Sequence, residues 1–283
     1  MVTIKNEILE AKIDPMGAEL KSLKKCGVEY LWQGDPAVWK DSSPVLFPIC
    51  GALKDNKYIY KGKEYSLLPH GFARLKLFEV ESLTENSAVL LLKSDEETIK
   101  NYPFKFEFRA IFTLKDDSLI TEYKVNNLSE ETMYFSVGSH EGYAAPEGIE
   151  NYDIIFPQKE TLETVLPDGR LLQNYTLPVI KDSEFLPLYD RYFLIDALIF
   201  LDIESKSLRL RNRLTGKEIK VDYPDCKNLL VWHKYAGGYI CIEPWSGRPD
   251  GQDSNYDITN KKDITALEPK GEYSNIHTVT IVK

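Results

Sequence analysis

The sequence lacks the residue spacings that build cross-linked or metal-stabilised proteins. It has only four cysteines and no CxxC pair, and Cys50 and Cys241 lie in apolar runs that predict buried thiols. Its four histidines, at positions 70, 140, 233 and 277, show neither the HxxxH nor the HxH spacing of metal ligands. We therefore expect no disulfide framework and no metal site.

Signals for membranes and nucleic acids are also missing. No segment is apolar for long enough to span a bilayer, and the N-terminus lacks a basic stretch followed by an apolar core. The 35 basic and 44 acidic side chains give a net charge of −9, which disfavours polyanionic partners. We expect a cytoplasmic protein with no nucleic-acid and no membrane partner.

Linkers, internal repeats and phosphate-binding glycine loops are absent as well. No stretch rich in Gly, Ser or Pro divides the 283 residues, so we expect one domain over residues 1–283. A hydrophobic content of 43% is ordinary for a globular protein with a sizeable core. Without a phosphate loop or a ligand cluster, we expect no nucleotide, flavin or other cofactor.

What the chain does have is period-two alternation, the pattern of half-buried strands. Residues 104–114 place phenylalanines on one side and mostly polar residues on the other, residues 116–118 predict a turn, and residues 119–125 return as a partner strand. Further short β-runs occur at 89–93, 133–137, 199–203, 207–211, 218–221, 229–232 and 278–282. Only residues 95–100 favour a helix. The pattern predicts an all-β fold, a large antiparallel sandwich with very little helix.

One carboxylate stands out in the stretch 241–250 (CIEPWSGRPD). Residues 238–242 predict a buried strand that Pro244 should stop, which would leave Glu243 at the strand end beside Trp245. Partial burial raises the pKa of a carboxyl group towards neutrality, where the group can act as a general base. The alternative is an edge residue that pairs with Arg248.

A histidine follows the short β-run at 134–139. His140 is flanked by Gly138 and Gly142, which favour a close approach of the backbone to a ligand, and histidine titrates near neutral pH. The alternative is a loop histidine held by its polar neighbours Ser139 and Glu141. His140 and Glu243 together form a candidate pair for acid–base chemistry.

Five short blocks, spread over nearly the whole chain, carry a family resemblance. They are 44–51 (PVLFPICG), 69–74 (PHGFAR), 135–140 (FSVGSH), 193–200 (FLIDALIF) and 243–245 (EPW). In this order they resemble the galactose mutarotase-like family, and within it the aldose 1-epimerase branch of LacX type. The resemblance implies a β-supersandwich and a cofactor-independent isomerase that interconverts the α and β anomers of an aldohexose.

The resemblance also implies roles for individual residues. His140 would be the general acid that protonates the ring oxygen, and Glu243 the general base at the C1 hydroxyl. His70 would orient the sugar or stabilise charge on the ring oxygen, and Arg74 would point into the sugar pocket. Without the resemblance, the alternatives are that His70 is an ordinary turn histidine and that Arg74 is a surface charge.

Two aspartates compete for the role of sugar-binding residue. Asp196 matches the family block and opens an apolar run, so that a strand would position it more rigidly than a loop positions Asp190. Five aromatic residues are candidates for stacking on a sugar face, although such residues are more often core: Trp39, Phe72, Tyr143, Trp232 and Trp245.

Rival functions remain open at the level of sequence. A carbohydrate-binding protein on the same fold needs no catalytic pair. A glycosidase needs two facing carboxylic acids, for which Asp250 and Asp196 are weak partners of Glu243. A hexose-6-phosphate 1-epimerase is a further alternative because of Arg74, with Lys54, Lys76 and Arg248 as lesser candidates. We expect a small aldohexose as the partner and a monomer or homodimer as the assembly.

Overall fold

The computed structural model describes residues 1–282, which are built mainly of β-strands. In chain order these are β1 (Val2–Lys5), β2 (Leu9–Asp14), β3 (Glu19–Lys25), β4 (Val28–Glu29), β5 (Lys57–Tyr60), β6 (Lys63–Ser66), β7 (Glu79–Leu83), β8 (Ser87–Lys93), β9 (Phe106–Lys115), β10 (Ser118–Asn127), β11 (Met133–Phe135), β12 (Glu141–Ala144), β13 (Tyr152–Asp168), β14 (Leu171–Pro187), β15 (Leu198–Phe200), β16 (Ser207–Asn212), β17 (Glu218–Asp222), β18 (Asn228–Trp232), β19 (Tyr239–Trp245), β20 (Thr265–Leu267) and β21 (Glu272–Ile281).

Helix is scarce within the same residues. One α-helix, α1 (Glu96–Asn101), accompanies the short 3₁₀ helices Lys54–Asn56, Ala73–Leu75, Ile149–Asn151, Asp190–Phe193 and Ile258–Asn260. Helix α1 starts where the sequence predicts it, because the Asp95 carboxylate accepts a hydrogen bond from the Thr98 N–H and Thr98 caps Asp95 in return.

Strand pairing is antiparallel throughout, and the largest sheet has nine strands in the order β14-β13-β16-β17-β21-β10-β9-β8-β7. A four-stranded sheet, β12-β19-β18-β15, carries the candidate residues His140 and Glu243 at or beside its strands. A further four-stranded sheet has the order β1-β2-β3-β4, and two-stranded sheets pair β5 with β6 and β11 with β20. The prediction of an all-β antiparallel sandwich with very little helix is confirmed.

The predicted hairpin at 104–125 corresponds to β9 and β10, with Leu119 opposite Leu114. A second and longer hairpin, β13 with β14, is not among the predicted β-runs, because its buried and exposed positions do not alternate regularly. Gly169 lies in the connecting turn with a positive φ of 64°, a conformation that glycine adopts without strain. This turn brings Arg170 to the rim of the candidate site.

Strand β19 is buried on both faces and separates the core from the candidate site. Ile240 and Ile242 pack into the main apolar core with the inward residues of β9 and β10, whereas Trp245 belongs to a smaller cluster with Leu46 and Leu230. Side chains alternate along a strand, so Cys241 and Glu243 share the face of Trp245.

The expectation that Pro244 stops this strand is wrong. Strand β19 continues to Trp245, with Pro244 opposite Leu229. A proline removes only its own N–H donor, and the Pro244 carbonyl still accepts a hydrogen bond from the Ser139 N–H at 3.3 Å. Glu243 therefore lies inside the strand, where the backbone holds it from both sides.

All four cysteines are free, and Cys50 and Cys241 are buried as expected. Among residues 1–282, no helix is long and apolar enough to cross a membrane.

Candidate active site

A cleft of about 370 Å³ opens beside the four-stranded sheet. It is lined by residues from distant parts of the chain, among them the five sequence candidates His70, Arg74, His140, Asp196 and Glu243. The fold therefore brings all five candidates to one surface.

His140 and Glu243 face each other across the pairing of β12 with β19. Glu141 lies opposite Ile242 in this antiparallel register, which places the preceding His140 level with Glu243. The His140 Nε2 and Glu243 Oε2 atoms are 3.4 Å apart, and the side chains are 14% and 2% exposed. The alternative partner of Glu243, Arg248, is bound instead to Asp263 and Asp202.

Burial drives the two pKa values in opposite directions. Desolvation lowers the pKa of His140 to about 4, against a weaker raising effect from the Glu141 charge. Desolvation raises the pKa of Glu243 well above its ordinary value, and the negative charges of Asp196 and Glu141 add to the rise. Both residues are thus favoured in their neutral forms, in which the pair holds one proton, on Glu243.

His70 is fixed by backbone contacts beside the catalytic candidates, with its ring centroid 5.7 Å from that of His140. Its φ of 66° is unusual for a residue other than glycine, and its N–H donates to the Gly51 carbonyl at 2.8 Å. The Gly51 N–H donates in turn to His70 Nδ1 at 3.3 Å, which places the ring proton on Nε2 when the imidazole is neutral. Burial, and then the positive charges around it, lowers the His70 pKa, so the ring is a neutral donor.

Two arginines line the cleft, and the sequence analysis identified only Arg74. Arg74 lies in the short helix Ala73–Leu75, four residues after His70. Its buried Nε has no hydrogen-bond partner among the described residues. Arg170 reaches the cleft from the turn of the β13–β14 hairpin. Its charge adds to the lowering of the His70 pKa, which burial dominates, and opposes the rise that burial causes in the Asp196 pKa. The lesser candidates Lys54 and Lys76 bond elsewhere, to the Gln252 carbonyl and to Asp95.

The competing aspartates have separate environments. Asp196 lines the cleft, and burial raises the pKa of its carboxyl group. Asp190 instead accepts a hydrogen bond from His233 Nε2 at 2.7 Å, while His233 Nδ1 is 2.8 Å from the Tyr239 carbonyl oxygen. Asp190 therefore secures a buried histidine and does not line the cleft.

Three tryptophans shape the cleft: Trp39, Trp232 and Trp245. The Trp39 ring stacks on the His140 ring with centroids 5.1 Å apart. The other two aromatic candidates are core residues, since Tyr143 is fully buried and Phe72 packs against the main core.

The glycines beside His140 admit these tryptophans rather than a ligand. A Cβ at Gly142 would lie 2.7 Å from the Trp39 ring, and one at Gly138 would lie 2.6 Å from the Trp245 ring. The expectation of a close approach to a ligand at these positions is therefore corrected: the close approach is made by protein side chains that wall the site.

One group of side chains offers three atoms of the metal-ligating kind. A His140 nitrogen, the Cys241 sulfur and a Glu243 oxygen all lie within 4.8 Å of one another. Burial raises the pKa of the Cys241 thiol well above its ordinary value, and the protonated thiol is a poor ligand. The donor set thus fits a resident metal poorly.

Comparison with known proteins agrees with this fold. The family model described as aldose 1-epimerase matches residues 1–262. The chain belongs to the aldose 1-epimerase family. It is 33% identical to the plasmid-encoded protein LacX of Lactococcus lactis subsp. lactis, over 99% of both chains.

Solved structures extend the family likeness. A galactose mutarotase related enzyme from Lactobacillus acidophilus is 36% identical, with a TM-score of 0.94 over 99% of this chain and 97% of that one. A galactose mutarotase-like protein from Lactobacillus casei is 26% identical, with a TM-score of 0.92 over 99% of each chain. Membership of the family supports an epimerase that acts on a sugar.

Proposed function

We propose that the chain is an aldose 1-epimerase that interconverts the α and β anomers of a free aldohexose, with His140 and Glu243 as its catalytic residues. The observation that carries the proposal is the pair itself: an imidazole and a carboxyl group 3.4 Å apart, buried at the floor of a sugar-sized cleft. Histidine and glutamate both serve as proton donors and acceptors in catalysis, and here burial lowers the pKa of His140 and raises that of Glu243.

Mutarotation needs one proton taken and one proton given. A carboxylate on Glu243 takes the proton of the C1 hydroxyl, the bond between C1 and the ring oxygen breaks, and protonated His140 gives a proton to that oxygen. Rotation about the C1–C2 bond exposes the other face of the aldehyde. Ring closure reverses both transfers, so the pair returns to its starting state and nothing is consumed.

The electrostatics of the cleft fit this cycle once one proton moves within the pair. The resting pair holds its proton on Glu243, whereas the cycle starts with that proton on His140. The two arrangements contain the same number of protons and differ by one transfer over a short distance. Hydrogen bonds from the sugar hydroxyls to Glu243 would stabilise the carboxylate and favour this transfer.

The remaining residues bind the sugar in this proposal. His70 donates from Nε2, Arg74 donates from a guanidinium group whose Nε is otherwise unpartnered, and Asp196 accepts from ring hydroxyls. The tryptophans offer apolar faces for the sugar ring.

Anomer exchange measured by NMR on a panel of free aldohexoses, including glucose and galactose, tests the proposal. We expect exchange faster than the spontaneous rate, without added cofactor. Tight sugar binding with no acceleration would instead identify a non-catalytic carbohydrate-binding protein.

A second candidate, a hexose-6-phosphate 1-epimerase, is favoured by one observation. Arg170 lines the same cleft as Arg74, so two guanidinium groups are available in a chain whose net charge is −9. A pair of arginines is a common way to hold a phosphate group. Comparing glucose with glucose 6-phosphate in the parent and in Arg170→Ala decides between the candidates. A preference for the phosphate that is lost in Arg170→Ala, with glucose turnover unchanged, would replace the free sugar by the phosphorylated one.

A further inference from the structure

A second buried pair of a histidine and a glutamate lies directly behind the cleft. Glu141 Oε1 and His277 Nε2 are 2.8 Å apart, and the residues are 3% and 1% exposed. Glu141 follows His140 in the chain, so the two side chains project from opposite faces of the strand. Neither Glu141 nor His277 lines the cleft.

The backbone of Glu141 sits between the two catalytic residues. It pairs with Ile242 in the ladder that joins β12 to β19, which sets His140 level with Glu243. The Glu141 side chain is tied to His277 of β21, which belongs to the nine-stranded sheet. The pair therefore connects the two sheets at the point where the catalytic register is set.

The surroundings of Glu141 leave it as the fixed negative charge of this region. The other titratable groups around it are Tyr123 of β10, Tyr143 of β12 and Cys241 of β19. Burial raises the pKa of all three, and the Glu141 charge adds to the rise, for Cys241 after the charge of Glu243, so they are neutral at physiological pH.

Glu141 itself is ionised although it is buried. Desolvation opposes its charge, but the electrostatic attraction of His277 and the hydrogen bond to it more than offset that cost and hold its pKa below the ordinary value. The carboxylate then accepts a hydrogen bond from the His277 Nε2–H. A buried charge acts through a low-dielectric medium, and the Glu141 charge favours a higher pKa at both His140 and Glu243.

We propose that Glu141, secured by His277, is a positioning residue for the catalytic pair: it holds His140 opposite Glu243 and supplies a fixed negative charge behind them. The proposal rests on the proposed function, since it assigns these residues to that reaction. It concerns side chains that do not touch the sugar.

Glu141→Gln is the decisive variant because the amide oxygen still accepts from His277 while the charge is removed. Loss of a negative charge disfavours the protonated forms of both catalytic residues, so both limbs of the pH–rate profile should move to lower pH, by about one unit. KM should stay the same, because Glu141 does not line the cleft. A profile that superimposes on that of the parent would overturn the proposal.

Two further variants separate charge from packing. Glu160→Gln changes another buried glutamate, which accepts hydrogen bonds from Ser205 and does not line the cleft, and it should leave the profile in place. His277→Gln keeps a donor for an ionised Glu141, and it should not move the profile to lower pH. A shift to lower pH in His277→Gln as large as in Glu141→Gln would mean that loss of the contact, and not loss of the negative charge, moves the profile, and the proposal would be wrong.

An NMR titration of His140 gives a readout that does not need turnover. The chain has only four histidines, so their ring signals can be resolved and assigned by replacement. We expect a lower His140 pKa in Glu141→Gln than in the parent, whichever sugar is turned over. An unchanged His140 pKa would refute the charge effect, whereas a shifted pKa in a protein that does not exchange anomers would refute only the proposed function.

Discussion

The His140–Glu243 and His277–Glu141 pairs flank the same junction of β12 with β19, yet the pKa values of their carboxyl groups shift in opposite directions. In the pair behind the sheet the two atoms are 2.8 Å apart and the glutamate pKa is lowered. In the cleft the separation is 3.4 Å and the glutamate pKa is raised. A third pair, His233–Asp190, is as short as the pair behind the sheet.

The difference teaches how a fold makes one pair structural and the other reactive. The close hydrogen bond from His277 stabilises the Glu141 carboxylate enough to offset desolvation, so this carboxyl group stays ionised and the pair connects the two sheets. A longer contact beside a cleft leaves desolvation uncompensated, so the proton is free to move when a sugar arrives. Each prediction below tests this contrast.

The largest effect should come from Glu243→Gln. The amide keeps the shape of the side chain but cannot take a proton, so anomer exchange should fall by about 10²–10⁴-fold while the circular dichroism spectrum is unchanged. Glu141→Gln is the matched control, because it makes the same chemical change in the other pair. Equal losses of rate at the respective pH optima would erase the distinction between the two pairs.

His140→Asn should cost about 10²-fold in kcat with little change in KM, because its contribution is made mainly in the transition state. The double variant with Glu243→Gln should be little slower than Glu243→Gln alone, since the residues act as a unit. Progress curves at several sugar concentrations separate kcat from KM. Full additivity of the two losses would argue against a shared proton.

A smaller effect should separate the two aspartates. Asp196→Asn should raise KM by about tenfold, the value of one hydrogen bond to a ligand, and leave the melting temperature in place. Asp190→Asn should lower the melting temperature and leave KM unchanged, because it weakens the hydrogen bond to His233. If Asp190→Asn raised KM more than Asp196→Asn did, the sugar-binding role would belong to Asp190.

The smallest effect concerns stability against pH. Between the ordinary pKa values of glutamate and histidine, the unfolded chain carries one proton on His140 and the folded pair carries one on Glu243, so the pair contributes no slope. Above that window the unfolded chain loses its proton first, and the free energy of unfolding should fall by up to about 1.4 kcal/mol per pH unit. Melting temperatures from pH 6 to 9 should therefore decline less in Glu243→Gln than in the parent. Parallel curves would show that Glu243 does not retain its proton in the folded state.

Much of the fold was predictable because local sequence patterns determine its strands and its helix. The hairpin of β9 and β10 and the capped helix α1 follow from alternation and from Asp95. Strand β19 was predicted from its apolar run, but its continuation through Pro244 depends on a carbonyl contact with Ser139, which no local rule contains.

The site was predictable in its residue types and not in its arrangement. Local sequence suggests that Glu243 and His140 are reactive, but their 3.4 Å separation depends on the register of two strands from opposite halves of the chain. Arg170 was missed because the hairpin that carries it lacks regular alternation. The roles of Asp190 and Asp196 could not be separated without knowing which of them meets His233.

The pairing of β12 with β19 also has a consequence for how activity appears during folding. These strands are remote in sequence, and contacts of this kind form late because the intervening chain must first be ordered. His70, His140 and Glu243 come together only when that pairing is complete. Recovery of anomer exchange after dilution from denaturant should therefore lag behind the recovery of bulk β-structure. The rate at which activity returns would then measure the last long-range step of folding.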